Sequence, residues 1–507
     1  MSSILSFKKI KIDWFHLLFW LVLSLGFVFI SLSFPMMKLR FDIWQHIDHI
    51  KSYVLDPNAT VANRAVWLKT WAFIFRRLGV DDIFSYAVII HRVQFVLDCI
   101  IVYFASKQIF AALIKFDDKE LILIRNQWLS SLALSSVFVW LTIIGTYSFF
   151  QQAWIMWYSV NYQITLPMLF LSLGLTVNAI TVLQSKVLAM SKVMGAFVLV
   201  LGIYFLHAGE LAYLCLYFLI GTSCFVGKFK FNWKYFVGGA TVLGLVLYFL
   251  IQIYTDHVPA LITLLKNGEY SKILNDIQAK GKWNAIDGGN RYSANWNELY
   301  MFSVFAFISV AIYAWISPLK MNARVLCFIG LSLCFCFIPT FQYSAGLASL
   351  ISYDGIVNRY YFASLIFLIT PLLVYLCAKN FKITSHPIAV LGMVFLCLLF
   401  VLLYSKKINH EGVYFKNVQS IRNSIKTTKI DIGVSDEFIA RVGAKVKASE
   451  NQFQAGSYIY CGSFESLYIA RYIYRKENML FDRLGNYQVA ECEDYAKSFA
   501  KKIAYLD

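Results

Sequence analysis

The sequence is poor in charge for its length. Only 15% of its 507 residues are Asp, Glu, Lys or Arg, and 59% are hydrophobic. A soluble domain carries about 25% charged residues, so a soluble globular class is excluded. Long apolar runs recur instead, and each is long enough to cross a bilayer core of about 30 Å. The sequence therefore predicts a polytopic membrane protein.

Common motifs of nucleotide binding and of hydrolytic enzymes are also missing. The sequence contains no Walker A loop, no Rossmann fingerprint, no HExxH and no Ser-His-Asp arrangement. The net charge of +17 could suggest nucleic acid. Most basic residues, however, stand in short loops between apolar runs, where the positive-inside bias and anionic lipid explain them. We therefore expect no nucleic-acid partner.

The apolar runs predict an all-α fold with about eleven transmembrane helices. They lie near 15–35, 89–113, 129–149, 164–183, 190–207, 209–226, 234–253, 299–317, 325–342, 360–378 and 387–404. Lys8, Lys9 and Lys11 predict a cytoplasmic N-terminus, and the first run has no small-x-small cleavage site, which indicates a retained anchor. An odd number of spans then places the C-terminal tail outside.

Two domains are expected. Residues 1–405 form a transmembrane catalytic domain with an outer loop at 36–88, and residues 406–507 form a small extracytoplasmic α/β domain. The tail reads as a helix in ARVGAKVKASENQ, a strand in SYIYCG and a helix in ESLYIARYIYRKENM. Its two cysteines, Cys461 and Cys492, are either a disulfide or two free thiols.

The outer loop 36–88 opens with LRFDIWQHIDHIKSYVLDP. Apolar residues recur there at helical spacing, which predicts an amphipathic helix at the membrane interface. A second such helix is expected around VWLKTWAFIFRRLGV. A further outer segment, 254–298, begins as a helix and becomes rich in glycine.

The polar groups at the ends of the spans share the outer side. Ionisable groups flanked by apolar sequence are costly unless they are paired or functional, so an outer-face active site is expected. The candidates are Asp42, His46, Asp48, His49, His207, Glu210, Arg291, Asp354 and Arg359.

Asp42 is the leading catalytic candidate. His46 follows it by four residues and His49 by three more, so the three can share one helical stripe. A desolvated carboxylate near a histidine suits general-base chemistry on a hydroxyl. The alternative is a carboxylate that complements the helix dipole, beside two surface histidines. A metal held by the two histidines and an aspartate is possible, although the spacing is unspecific.

Other polar groups predict further contacts. His207 and Glu210 stand three residues apart and can face the same way. Arg291 precedes Tyr292 in GGNRY, and Arg359 precedes Tyr360 in NRYY. Arginine beside tyrosine at a membrane surface can hold the phosphate of a lipid-linked donor, or it can anchor head groups.

With these features the sequence resembles the GT-C superfamily of multispan glycosyltransferases. The resemblance covers roughly residues 1–405 and rests on FDIWQHIDHI after the first span, NRYYFASLIFLITPLL at a late span, WYSVNYQITLPMLFL and the HAGE turn. It implies a sugar donor linked to polyprenyl phosphate, with Asp42 as the catalytic carboxylate and Arg359 against the carrier phosphate. The acidic pair common in the family is absent, because Ile43 follows Asp42, so Asp48 or Glu210 could share the role.

The resemblance also implies the reaction and its place. Direct attack by an acceptor hydroxyl would invert the anomeric carbon, with the carrier phosphate as the leaving group. The acceptor could be a glycan, a lipid or a protein, and some members of the superfamily use a divalent metal. We expect an integral protein of a bacterial inner membrane.

Two other classes compete with this interpretation. A polysaccharide polymerase or oligosaccharyltransferase would use a diphosphate-linked oligosaccharide, and segment 254–298 is long enough for its outer loop. A transporter or flippase would place ionisable residues near mid-span and use paired broken helices. The ionisable residues here cluster at span ends, and the chain has only eight prolines.

Overall fold

The structure is a computed structural model that is predominantly helical where it describes the chain. This confirms the helical part of the predicted fold class. It describes residues 13–33, 41–58, 66–80, 83–114, 122–146, 162–181, 185–207, 211, 213–214, 217, 263–284, 306–315, 323–338, 342–351, 363–408, 436–454, 457–462, 466–467, 469–470, 474 and 501–506.

Fourteen helices and two strands are given bounds within these ranges. The helices are α1 (Trp14–Ser33), α2 (Phe41–Leu55), α3 (Val66–Leu78), α4 (Ile83–Leu113), α5 (Ile122–Thr146), α6 (Tyr162–Thr181), α7 (Lys186–His207), α8 (Tyr270–Asn284), α9 (Ala306–Trp315), α10 (Ala323–Phe337), α11 (Gln342–Ile351), α12 (Ile369–Asn380), α13 (Pro387–Ile408) and α14 (Asp436–Gln452). A short 3-10 turn, Ile366–Leu368, leads into α12. The strands are β1 (Tyr458–Cys461) and β2 (Lys502–Tyr505).

Three helical stretches are long and apolar enough to cross a membrane. They are Arg92–Leu113 in α4, Ile164–Thr181 in α6 and Lys186–Leu206 in α7. Shorter apolar stretches occur in α1, α9, α10, α12 and α13, all at positions where spans are predicted. The chain is therefore a membrane protein, and the count of eleven spans stays a prediction. Most of the predicted spans 209–226 and 234–253 lies outside the described residues.

The chain forms two compact units. The first comprises Met1–Phe27, Gln94–Ala153 and Asn161–Val413, and the second comprises Val28–Val93, Trp154–Val160 and Tyr414–Asp507. The second unit therefore takes in residues of segment 36–88, the predicted outer loop, as well as residues of the tail. The domain boundary expected at residue 405 stays a prediction.

A polar cluster ties α1 to α4 and α5 in the first unit. Ser130 Oγ donates to Asp13 Oδ2 at 2.6 Å, and Lys107 Nζ donates to the same hydroxyl at 2.8 Å. Lys107 Nζ also lies 3.8 Å from Asp13 Oδ2. One turn along α1, His16 contacts the Tyr103 hydroxyl at 3.3 Å. Both charges are mostly buried and mutually satisfied, which a membrane-embedded helix end requires.

Segment 254–298 contains α8, which overlaps the helix predicted at the start of that segment, and α8 packs against α11 in the first unit. The two backbones approach closely at Gly346 of α11. A Cβ at this position would overlap the carbonyl of Ile277 in α8. Glycine is required here because only the missing side chain lets the helices come together.

The tail has the predicted helix and first strand. β1 pairs in parallel with β2, so Tyr458 lies opposite Lys502. The strand β2 was not predicted, because only four residues near the C-terminus form it. A small core covers this pair, with Val442, Val446, Tyr458, Tyr460, Leu467, Ile469, Ala470, Ala504 and Leu506 all buried.

The end of β1 carries a disulfide. Cys461 is disulfide-bonded and only 3% exposed. Of the two alternatives for Cys461, a disulfide or a free thiol, the structure has the disulfide. Cys492, the other cysteine of the tail, lies outside the described residues.

Replacement of Gly346 by alanine should destabilise the first unit. The new Cβ meets backbone rather than a flexible side chain, so we expect a loss of about 1–3 kcal/mol in unfolding free energy. Thermal unfolding of the detergent-solubilised protein measures this. Gly330→Ala in α10 is the matched control, because its Cβ would meet nothing within 4 Å. An equal melting temperature for wild type and Gly346→Ala would contradict the packing.

Candidate functional site

The helix α2 confirms the helical spacing that the sequence predicts for the leading catalytic candidates. It runs from Phe41 to Leu55 without a break, so Asp42, His46 and His49 follow one line along its surface. Ile47 and Ile50, on the adjoining face, are fully buried. The apolar face of α2 is therefore buried, and the line of Asp42, His46 and His49 runs along the edge of that face. The side chains of Asp42 and Asp48 lie outside the described part of the structure.

The two histidines of this line lie close together. Their ring centroids are 6.4 Å apart in an edge-to-face arrangement. Both side chains are half-buried, and His49 Nδ1 is buried with no hydrogen-bond partner among the described residues. Desolvation by burial lowers the pKa of His49 below its ordinary value of 6.5. His49 is therefore a neutral imidazole at pH 7, with one nitrogen able to accept a proton.

The C-terminal end of α2 is fixed by α3 within the second unit. Arg76 Nε and Nη2 donate to the Val54 carbonyl at 3.1 and 2.8 Å, and Nη2 also donates to the Tyr53 carbonyl at 2.5 Å. These carbonyls belong to the last turn of α2, which has no partners within the helix. Lys69 lies over the Tyr53 ring at 5.1 Å. The charged residues of α3 thus hold α2 in place.

The helix α3 also carries two unsatisfied indoles. Trp67 and Trp71 lie edge to face at 5.7 Å, and both indole nitrogens are buried with no hydrogen-bond partner within the described chain. Trp71 is 3% exposed and stacks on Phe75, which stacks on Tyr86. A buried indole N–H normally finds an acceptor. The pair can therefore donate to hydroxyl or phosphate oxygens of a ligand.

Sequence reasoning missed these indoles. It treated VWLKTWAFIFRRLGV only as an amphipathic helix, because tryptophan is common at membrane interfaces. The spacing of Trp67 and Trp71, one helical turn apart, is a signal that could have marked them as a pair.

The other predicted site residues are not placed by the structure. α7 ends at His207, whose side chain is outside the described part. The same holds for the whole residues Glu210, Arg291, Tyr292, Asp354, Arg359 and Tyr360. Their contribution to one outer-face site stays a prediction.

Asp98 is an ionisable residue that the sequence argument overlooked. It lies inside the apolar stretch Arg92–Leu113, is 1% exposed, and its Oδ1 has no hydrogen-bond partner among the described residues. Asp98 is therefore an exception to the clustering of ionisable residues at span ends. The signal was visible as one carboxylate within QFVLDCIIVYF. A buried carboxyl at membrane depth is a functional candidate by default.

A metal site is not assembled by the described residues. No group of three or more His, Cys, Asp or Glu side chains within them could hold an ion. His46 and His49 supply two nitrogens, and two ligands do not make a stable site. A divalent metal at this site therefore stays a prediction.

His49 should make stability depend on pH. Its folded pKa is lowered, so the unfolded chain binds more protons as pH falls through 6.5. The stability present above pH 6.5 should be lost below it, with a slope under about 1.4 kcal/mol per pH unit. Melting temperatures between pH 5.5 and 7.5 measure this.

His49→Gln should flatten that dependence. His386→Gln is the control, because His386 is exposed. Parallel pH curves for wild type and His49→Gln would show that this imidazole is not desolvated.

The chain matches no protein-family model, no curated protein and no solved structure. A function for it is therefore argued from the chemistry of its own residues.

Proposed function

We propose that this protein is a membrane glycosyltransferase. It moves a sugar from a polyprenyl-phosphate carrier to a glycan, lipid or protein acceptor on the outer face of the membrane. The observation that carries the proposal is α2. This helix follows soon after the apolar α1 and lines up Asp42, His46 and His49. A polar line at the end of a membrane helix suits a substrate with one end in lipid and one in water.

The proposed chemistry is a direct inverting displacement. The acceptor hydroxyl attacks the anomeric carbon, and Asp42 takes the proton of that hydroxyl. The bond from the anomeric carbon to the carrier phosphate breaks, and the phosphate leaves with the electron pair. Arg359 stabilises the charge on the leaving phosphate, as the resemblance implies. His49, neutral at pH 7, orients a hydroxyl or relays the proton.

The two indoles of α3 support a sugar as the ligand. Trp67 and Trp71 offer buried N–H donors without a described acceptor, and a sugar supplies many oxygens. The partly exposed ring of Trp67 adds apolar contact for the carbon skeleton of the sugar. A purely lipid ligand would leave these donors unsatisfied, at a cost of about 1–3 kcal/mol each.

The disulfide at Cys461 supports an outer location for the tail. Thiols in the cytosol are kept reduced, and stable disulfides form in oxidising compartments. With a cytoplasmic N-terminus, this orientation requires an odd number of spans. The proposal places the tail in the periplasm or outside the cell, with the protein in a bacterial inner membrane.

A flippase or transporter is the second candidate, and Asp98 favours it. In pumps and transporters, buried carboxyls within membrane helices mark substrate pathways and proton relays. The two functions differ in which carboxylate is essential. A transporter depends on Asp98, whereas the transferase depends on Asp42.

Asp42→Asn should abolish transfer of a radiolabelled sugar from polyprenyl-phosphate donors in membranes that hold the protein. We expect a loss of about 10²- to 10⁴-fold, since the amide cannot accept the proton. Asp56→Asn is the matched control. Asp56 follows the same helix, is exposed and only accepts a bond from the Asn58 N–H at 2.9 Å.

Three results would reject this assignment. Full activity in Asp42→Asn would remove the proposed base. Loss only in Glu210→Gln would move it to the HAGE turn. Movement of the lipid-linked sugar across the bilayer, without transfer and lost in Asp98→Asn, would promote the transporter.

The outer location of the C-terminal tail can be tested separately. Because Cys461 is buried, the labelling is done in urea: reduced protein in right-side-out vesicles should then react at Cys461 with a membrane-impermeant maleimide, and unreduced protein should not. Cys461→Ser should free the thiol of the partner cysteine, so that this variant labels without prior reduction, and should lower stability by about 2–4 kcal/mol. Labelling of Cys461 without prior reduction, or only after the vesicles are opened, would contradict an oxidised outer tail.

A further inference from the structure

The imidazole of His16, in the first turn of α1, is surrounded by four aromatic rings, here called the aromatic cage. All four ring centroids lie 5.7–6.5 Å from the centroid of His16. The rings are those of Phe19 and Trp20 in α1 and of Tyr103 and Phe104 in α4. The imidazole is half-buried, and the neighbouring Asp13 side chain is 20% exposed. Water therefore reaches this end of the helix.

Both ring nitrogens of His16 have a partner, and these partners fix the position of the ring proton. Trp20 Nε1 lies 3.2 Å from His16 Nε2. An indole N–H only donates, so Nε2 is the acceptor and carries no proton. The proton of the neutral imidazole is therefore on Nδ1, which donates to the Tyr103 hydroxyl at 3.3 Å. The contacts of His16 thus belong to its neutral form.

A second proton on His16 conflicts with one of these contacts and not with the other. This proton goes to Nε2, where the new N–H faces the N–H of Trp20, and two donors do not bond to each other. Nδ1 keeps its proton in both forms, so the bond to Tyr103 is retained. Protonation therefore breaks the link from His16 to Trp20 within α1 and leaves the link from α1 to α4 in place.

The charged groups around the aromatic cage accommodate the protonated form. On α1, Asp13 Oδ1 lies 3.4 Å from the backbone nitrogen of His16, so a carboxylate stands next to this residue. On α4, Lys107 is the opposing cation, and its Nζ lies 3.8 Å from Asp13 Oδ2. On α5, Ser130 adds a neutral hydroxyl that donates to the same carboxylate. The two charges largely offset each other, and the π faces of the cage then favour a cation.

We propose that His16 is a pH-sensitive switch that holds Trp20 when neutral and releases it when protonated. Trp20 is 41% exposed, so its ring turns without displacing buried neighbours. The released indole N–H finds acceptors in water or in lipid head groups, where tryptophan rings prefer to lie. The surface that α1 presents to the bilayer therefore differs between acid and neutral conditions. Histidine changes its charge between pH 5 and pH 8, which sets the range of the switch.

The indole N–H resonance of Trp20 tests the switch in the full chain in nanodiscs. The protein carries nitrogen-labelled tryptophan, and the resonance that is missing from Trp20→Phe belongs to Trp20. On titration from pH 8 to pH 5, the proton resonance of Trp20 should move upfield, because a hydrogen-bonded proton resonates downfield of a free one. The resonance of Trp128, which is 1% exposed and packs on Tyr375, should stay in place.

His16→Gln is the matched variant. Glutamine is neutral throughout this range, and its amide both accepts from Trp20 and donates to Tyr103. Its Trp20 resonance should match that of wild type at pH 8 and remain there at pH 5. His49→Gln removes another half-buried imidazole and should leave the Trp20 titration unchanged.

Two results would overturn the switch. One is a wild-type Trp20 resonance that stays in place or moves downfield, and this titration decides without any variant at His16. The other is an equal upfield movement in His16→Gln, which would assign the response to another group.

Discussion

A bilayer interior provides no water to satisfy polar groups, and this constraint organises the first unit. Four of its buried serines on α4, α5 and α10 donate back to their own helices and so leave no free donor: Ser106, Ser135, Ser136 and Ser332. Charges are treated in the same way, as the Asp13, Lys107 and Ser130 cluster shows. Where every buried polar group has a partner in this way, the helices have a purely structural role.

The places where the rule fails are where function is expected. Asp98 and Ser364 are fully buried in the first unit, and each has a polar atom without a described partner. His49 and Trp71 have the same property in the second unit. Unsatisfied groups are costly in a folded protein, and they persist where a ligand or a reaction completes them. A sugar at the indoles of α3 would do so.

Helices were the easiest part to predict, because apolar runs and helical spacing set them locally. The register of Asp42, His46 and His49 follows from the spacing in FDIWQHIDHI, and α2 has it. Burial was harder to foresee. The sequence could not show that Gly346 lies beneath Ile277, or that Trp71 is buried, since both depend on contacts between distant segments. β2 was missed because its pairing with β1 spans about forty residues.

The start of α12 shows a limit of hydropathy in particular. Residues 360–378 read as one continuous span, because every residue from 363 to 369 except Ser364 is apolar. Only the backbone reveals that residues 363–365 are not helical and that a 3-10 turn precedes α12. Pro371 was the available signal, but proline near a helix start is ordinary and does not predict such a turn by itself.

The central claim is that a lipid-linked sugar is the substrate. Photocrosslinking with a polyprenyl-phosphate sugar that carries a diazirine on the sugar ring tests it most directly. Mass spectrometry of the labelled peptides then locates the sugar on the chain. The account predicts labels within α2 and α3, lost when unlabelled donor competes. Labels confined to lipid-facing helices such as α7, unaffected by competing donor, would contradict it.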